Sequence, residues 1–453
     1  MLKAFWNVLK VKELRSRLLF TAGIIVLVRM ADNIPCPGVN SVALKNYLTQ
    51  FQANGATSGG IMDMLDIFSG GALQQFALGV LGIMPYITAS IIIQLLTPVV
   101  PSLEKISRDG ETGRAKISQY TRYLTILVCL VQGVLAAMAM INPAKLFGQM
   151  PSEPLFWGNP GVFMVMTVLV LTCTTMIFMW LGEQVTERGI GNGVSIIITI
   201  NIISKVPSAV VQLFQMATSQ STGSASFKPV HLLILLIVFA AVTAATIMLC
   251  QGMRRVPVQM ARKSIGNQVQ GGATYLPLKV NFAGVMPIIF AGAIMMIPRP
   301  VFEYFNWTTL ASWFNYDAGG YLITYGLLIM AFNFFWVATQ FNPLQISENL
   351  KREGGYIPGI RPGQPTADFL DTTMTRVTFA GAVYLTALAI FPTLLTAWLK
   401  IPYNVSSYFG GTSLLIIVGV TIDTLSQLES HLVMKNYDGF LSRGRLRSRG
   451  GRV

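Results

Sequence analysis

Apolar residues in this 453-residue chain are gathered into repeated long runs, parted by shorter stretches rich in glycine, proline and basic side chains. A helix that crosses a bilayer needs about 20 mainly apolar residues. By that ruler ten spans are predicted, near 18–34, 74–97, 118–141, 160–181, 192–215, 229–250, 281–299, 320–340, 377–398 and 411–430. They divide evenly at the loop around 216–228. A half with an odd number of spans must be followed by one of inverted topology, and inverted repeats commonly hold a pathway at their shared interface. The predicted fold is all-α and polytopic: ten transmembrane helices in two pseudo-symmetric inverted halves of five. No internal sequence similarity stands out, so the symmetry rests on counting.

The organisation that follows is a cytosolic amphipathic helix over 1–17, an N-terminal half over 18–215, an external loop at 216–228, a C-terminal half over 229–430 and a basic tail at 431–453. In the first segment Phe5, Trp6 and Leu9 are expected at the membrane interface, with Lys3, Lys10 and Lys12 facing water or anionic headgroups. Basic residues mark cytosolic loops. With the N-terminus inside, 26 of the 33 Lys and Arg fall on the cytosolic side, while Lys45, Lys145, Lys205, Lys228, Arg299 and Lys400 fall opposite and Arg29 sits near the outer end of span one. Both termini are therefore expected in the cytosol.

Composition agrees. The chain is 53% hydrophobic and only 11% charged, where a soluble domain carries about 25% charged residues. The net charge of +14 is accounted for by the cytosolic loops, so DNA binding is not expected. Of the four cysteines, Cys129, Cys173 and Cys250 lie inside apolar runs, where cysteine acts as a small hydrophobe, and only His231 and His431 could add imidazole ligands. Neither a disulfide nor a metal site is expected. A GxxxxGK[ST] loop, a serine nucleophile and a paired carboxylate are all missing, and "RGIGNG" lacks the Rossmann order of glycines. The chain reads as a non-enzyme without a cofactor, and directional work must come from a partner.

Mid-span ionisable groups, which transporters and pumps need, are nearly lacking; a small-solute transporter or membrane enzyme is the weaker reading. The interior offers isoleucines instead, in "GIMPYITASIIIQLL" and "GNGVSIIITINII". These are either ordinary packing or an apolar seal that excludes water. Between spans one and two, "GGIMDMLDIFSGG" is too short to cross. Ile61, Met64, Leu65 and Phe68 keep helical spacing while Asp63 and Asp66 face away. It is either a space-filling re-entrant helix or a movable stopper. Two basic loops, 251–279 and 341–376, are long for connectors, and long loops are commonly functional. The second contains "GGYIPGIRPGQPT", a stiff tip around Arg361.

The stretches "IPCPG", "FSGGAL", "LGIMPYITASIIIQLL", "WLGEQVTERGIGNGVSIII", "RRVPVQMARK", "YLPLKVNFAGVMPIIF", "NPLQISENLKREGGYIPGIRPG" and "FGGTSLLI" run in order through the whole chain. By them it resembles the SecY family of bacterial protein-conducting channels. The resemblance implies a channel for unfolded preproteins, hinged between spans five and six, with a lateral gate between spans two and three and spans seven and eight. It places the pore ring on Ile83, Ile87, Val194, Ile198, Ile289 and Ile416, and the plug at 59–71, on Ile61, Met62, Asp63, Met64, Leu65, Asp66, Ile67 and Phe68. It places motor and ribosome docking on Arg254, Arg255, Lys263 and Arg361. Gln94 and Gln132, polar groups in spans two and three, are either interhelical hydrogen bonds or tuning groups of the gate. The implied partners are the SecE and SecG membrane subunits, the motor ATPase SecA, the ribosome, preproteins with signal sequences and anionic lipids, all at the bacterial inner membrane. Ala31 and Cys36 depart from the family pattern, and Asn333 is a polar residue in span eight that the sequence leaves without an account.

Overall fold

The computed structural model describes residues 12–53, 66, 69–143, 153–218, 229–260, 263–265, 268–270, 273–295, 298–305, 307–315, 318–399, 406, 408 and 411–443. Phe5, Trp6, Leu9 and most of the stopper segment lie outside them. In chain order the first helices are α1 (Lys12–Asn33), α2 (Ser41–Ala53), α3 (Ala72–Gln75), α4 (Met84–Leu96), α5 (Pro101–Arg108), α6 (Glu111–Ile141), α7 (Pro160–Arg188), α8 (Gly193–Thr218) and α9 (Pro229–Gln251). Strands β1 (Met253–Met260), β2 (Lys263–Ile265), β3 (Gln268–Gln270) and β4 (Ala273–Lys279) follow. Then come α10 (Met286–Met295), α11 (Pro298–Tyr304), α12 (Thr308–Trp313), α13 (Gly319–Gln340), α14 (Pro343–Arg352), β5 (Gly355–Tyr356), α15 (Gln364–Leu399) and α16 (Gly411–Arg443).

Each of the ten predicted spans coincides with a described helix, but three depart from a simple crossing. Seven helices are long and apolar enough to cross by themselves. Helix α1 carries Arg17, Arg29 and Asp32 among its apolar residues. The span expected over 74–97 is interrupted between the end of α3 at Gln75 and the start of α4 at Met84, and the chain then turns by 101° into α5. The span expected over 281–299 becomes helical only at Met286, where α10 begins.

Both shortened helices start the same way. Gly82 (φ +54°) precedes Ile83, Met84 and Pro85; Gly284 (φ +64°) precedes Val285, Met286 and Pro287. Glycine supplies the left-handed turn, and proline at the second helical position loses no intrahelical bond. The non-helical stretch before α4 keeps its backbone paired. Cys36 N–H donates to the Phe76 carbonyl (2.9 Å), Leu78 N–H to the Ile34 carbonyl (2.9 Å) and Gly82 N–H to the Gly79 carbonyl (2.8 Å). Irregular backbone is tolerated at membrane depth on that condition.

The chain forms two compact units. One comprises described residues up to Ala56, from Leu65 to Lys205 and from Val420 onwards; the other runs from Val206 to Gly419. In the first, a core of Cys36, Leu44, Tyr47, Phe76, Phe163 and Leu171 packs the 34–47 region against α6 and α7. Cys36 serves there as a buried hydrophobe, and burial pushes its thiol above the usual range. The bidentate pair from Arg122 to Glu183 (3.2 and 2.8 Å) ties α6 to α7. In the second unit a core of Ile288, Ala291, Tyr325, Ile329, Leu385 and Leu415 joins α10, α13, α15 and the start of α16. Asn333, 2% exposed, donates to the Thr378 carbonyl at 3.4 Å and so bridges α13 to α15. Leu233, Leu236 and Ile237 on α9 are exposed, as expected of side chains that face lipid.

The glycines of "RGIGNG" make the tight turn between α7 and α8. Gly191 has φ +80°, the Asn192 side chain accepts from Val194 N–H (3.1 Å) and Ser195 N–H (3.4 Å), and Gly193 N–H donates to Thr186 Oγ1 (2.9 Å). A Cβ on Gly193 would collide with the Gly182 carbonyl and lie 2.7 Å from Val185 Cβ. Gly193→Ala is expected to destabilise the purified protein by about 1–3 kcal/mol, as overpacking does. Gly161→Ala, whose Cβ would meet only Asn159 Oδ1 at 3.7 Å, should be tolerated. Thermal unfolding in nanodiscs checks this, and equal midpoints for Gly193→Ala and wild type would contradict it.

Candidate functional site

The six positions that the resemblance assigns to a pore ring sit in the opening turns of four helices. Ile83 is the N-cap of α4 and Ile87 its fourth residue; Val194 and Ile198 are the second and sixth residues of α8. Ile289 is the fourth residue of α10 and Ile416 the sixth of α16. All are buried except the half-buried Val194. The first four belong to the first unit, Ile289 and Ile416 to the second. On α4 and α8 the pair is spaced i, i+4, which puts both side chains on one helical face.

The two basic loops are not structureless, as their length suggested. The 251–279 loop folds as an antiparallel ribbon in which Arg254 pairs with Leu278 and Gln259 with Ala273. The 341–376 loop adds β5 to its other side, Gln259 opposite Tyr356 and Met260 opposite Gly355, so the strand order is β4-β1-β5. Tyr356 Oη donates to Gln259 Oε1 at 2.7 Å. The signal for this lay in "MRRVPVQM", where Val256 and Val258 are buried and their neighbours exposed, the period-two pattern of a strand. Pro257 discouraged a strand, yet β5 pairs with β1 only at its last two residues, so at Pro257 that side is an open edge, where proline is tolerated.

Around Arg361 the backbone is fixed and the guanidinium is not. Gly359 and Gly363 adopt φ +84° and +105°. Thr366 Oγ1 donates to the Arg361 carbonyl (2.9 Å), and Ser347 on α14, itself 1% exposed, donates to the Gly363 carbonyl (2.6 Å). Ile357 is buried beneath the tip. The Arg361 side chain is exposed and makes no hydrogen bond or ion pair among the described residues. Arg254 and Arg255 are exposed on β1. Arg254 also lines an open cleft of about 420 Å³ with Asp368, Phe369, Thr372, Thr373 and Arg376 of α15. Lys263 is placed on β2, but its side chain lies outside the described residues.

Gln94 is exposed and donates to Ser90 Oγ (3.0 Å) within its own helix, so it is not an interhelical bond; Gln132 is half-buried on α6. Helices α4 and α6 pack together in one unit, and α10 packs on α13 in the other, where Phe290 meets Phe332 and Trp336 at 5.5 Å each. Ile61, Met62, Asp63, Met64, Leu65, Ile67 and Phe68 lie outside the described residues. Asp66 is described, and its carboxylate is 2.9 Å from the Lys205 ammonium. Inspection of the sequence alone missed that pair, as it missed Arg29 with Asp32 and Arg122 with Glu183. Among the described residues no group of three or more His, Cys, Asp and Glu could hold a metal.

Helices that cross a membrane, two of them started by a Gly-x-Met-Pro turn and shortened, together with a basic sheet between crossings, define a multi-pass helical membrane protein. The SecY family model matches residues 77–425, and the chain belongs to the SecY family. It is 41% identical to the protein translocase subunit SecY of Chlamydia muridarum over 98% of this chain and 99% of that one. The fold is that of a solved protein-conducting channel, with TM-score 0.61 and 17% identity over 92% of each chain. It is likewise similar to Sec61 in the canine ribosome–channel complex from the endoplasmic reticulum, with TM-score 0.57 and 16% identity over 92% of each chain.

The Ser347 hydroxyl is the buried fastening of the Arg361 tip. The Gly363 carbonyl keeps the Thr366 and Ala367 N–H donors (3.0 and 3.2 Å), so losing the Ser347 bond costs about 0.5–1.5 kcal/mol, the net worth of one hydrogen bond. Ser347→Ala is therefore expected to speed protease cleavage within 354–363 by about two- to tenfold. Limited proteolysis of the protein in nanodiscs measures this; an unchanged rate would show that the tip is held by other contacts.

Proposed function

We propose that the chain is the protein-conducting channel of a bacterial Sec translocase, passing unfolded preproteins across the inner membrane and releasing signal sequences and membrane segments sideways into lipid. Both termini face the cytosol, residues 18–215 and 229–430 act as its two halves, and 216–228 is the external hinge. The observation that carries the reading is the pair of shortened helices, α4 and α10, which present Ile83, Ile87 and Ile289 from identical proline starts. Two interrupted spans at matching places in two halves point to a pathway.

The chemistry of the six ring residues suits that task. Branched aliphatic side chains close against one another or around a passing polypeptide, and they offer it no hydrogen bond. A charged ring would stay hydrated when idle and would trap charged segments; an apolar constriction expels water. The segment 61–68 acts as the plug. A signal sequence opens the channel by binding the open form more tightly than the closed one, at a lateral gate bordered by spans two, three, seven and eight, with Gln94 and Gln132 on it. The small SecE and SecG subunits complete the complex, and anionic lipids contact its basic surfaces.

Force comes from outside, from the SecA motor ATPase or from the ribosome. Arg254, Arg255, Lys263 and Arg361 form the docking surface. A guanidinium on a fixed loop tip is pre-organised for two parallel hydrogen bonds to a carboxylate or phosphate. Vesicles carrying the chain with SecE and SecG, given SecA and ATP, are expected to take up a radiolabelled preprotein into a protease-protected form. Arg361→Glu is expected to cut that uptake at least tenfold, the order of a lost charge-assisted bidentate contact, with SecE still bound. No uptake by wild type would overturn the channel reading; undiminished uptake by the variant would move motor docking to Arg254 and Arg255.

A further inference from the structure

We propose that Lys205 and Arg29 are positioning residues that clamp the end of the plug onto α8, and that their grip sets how strong a signal sequence must be to open the channel. The inference rests on the reading of 61–68 as the plug.

The clamp has two points. At the first, Lys205 Nζ lies 2.9 Å from Asp66 Oδ2, and the two side chains are only 17% and 16% exposed. The same oxygen accepts from Gln74 Nε2 at 2.9 Å. At the second, four residues on, the Gly70 carbonyl receives Arg29 Nη1 and Nη2 (3.3 Å each) and the Ser204 hydroxyl (3.4 Å). Arg29 is held by the fully buried Asp32 side chain (3.2 Å) and reaches Asn201 Oδ1 (3.5 Å). Asn201, Ser204 and Lys205 lie on neighbouring turns of α8, so one stretch of that helix holds both points.

The glycine pair after the plug follows from this approach. Gly70 and Gly71 have φ +65° and +95°. A Cβ on Gly70 would stand 3.1 Å from Asn201 Cα, and one on Gly71 would collide with the Lys205 side chain. Glycine here serves close approach as well as turning. Within 66–71 the backbone also closes on itself, Gly71 N–H and Ser69 Oγ both donating to the Asp66 carbonyl at 3.0 and 3.2 Å. The clamped end is therefore a compact knot, and the attachments to α8 are polar. Partly buried charges are screened by salt much less than exposed ones, so the grip persists at physiological ionic strength.

The test is export of a precursor with a crippled signal sequence, expressed as a ratio to the same precursor with an intact one, in cells carrying the complete translocase. Lys205→Gln is expected to raise that ratio about tenfold, as a tenfold shift in the closed–open equilibrium would. Asp66→Asn, which breaks the same contact from the plug side, should raise it by a similar factor. The exchanged pair Asp66→Lys with Lys205→Asp should bring the ratio back towards wild type. Ile416→Asn, which wets the ring rather than freeing the plug, serves as the reference. If Ile416→Asn loosens discrimination and Lys205→Gln with Asp66→Asn do not, the clamp is wrong and the channel reading stands. If none of the three loosens it, the ring and plug assignments fall together. If the single variants loosen it and the exchanged pair does not restore it, the two side chains do not act as a pair and the proposal is overturned.

Discussion

A bilayer offers no water to an exposed peptide group, and that constraint organises this molecule. Each unpaired backbone N–H or carbonyl in hydrocarbon costs several kcal/mol, so irregular chain survives there only when its bonds are closed within protein or along a wet cavity. Most of the chain meets the constraint with long helices in which even threonine hydroxyls turn back on their own carbonyls, as Thr125 does to Thr121 and Thr246 to Val242. The exceptions are therefore informative. The turns ahead of α4 and α10 are such exceptions, and the first is joined to residues 34–36 by two backbone hydrogen bonds and an isolated bridge.

Charge follows the same economy. Two ion pairs are set into the helices, Arg122 with Glu183 and Arg29 with Asp32, whereas the six positions proposed for the pore ring are aliphatic. Exposed basic groups also lie on the ribbon, at Arg254 and Arg255, and on the loop that follows its added strand, at Arg361. Because β5 joins the 341–376 loop to the 251–279 ribbon, Arg254, Arg255 and Arg361 share one small sheet and its loops instead of two independent tethers. A partner that pulls on one loop loads the other through strand pairing, and through Ser347 it loads the base of α14.

How much of this could be read beforehand depended on the range of the interactions. Spans are local in sequence and follow from composition alone, so each predicted run holds a helix. Their starts were misplaced where the chain is apolar yet turning: nothing in the hydropathy of 74–83 distinguishes a turn from a helix. The repeated Gly-x-Met-Pro at 82–85 and 284–287 does, and it is also the trace of internal symmetry that counting spans could not supply. The ribbon was hidden because the 251–279 stretch, basic and glycine-containing between two apolar runs, was read as a connecting loop. The pairing of Asp66 with Lys205 joins residues 139 positions apart, and Lys205 had been counted simply as an outside charge. Asn333 had no account because its partner is a backbone carbonyl on α15, which leaves no trace in residue type.

The central claim is that a polypeptide passes the residues that open α4, α8, α10 and α16. Site-specific photo-crosslinking to a preprotein stalled midway tests it most directly, with the probe placed in turn at positions 83, 87, 194, 198, 289 and 416 and, for contrast, at the outward-facing Leu233 and Leu236. The account predicts adducts from the six positions and none from the two leucines. Adducts confined to 233 and 236, or spread equally over all eight, would contradict it.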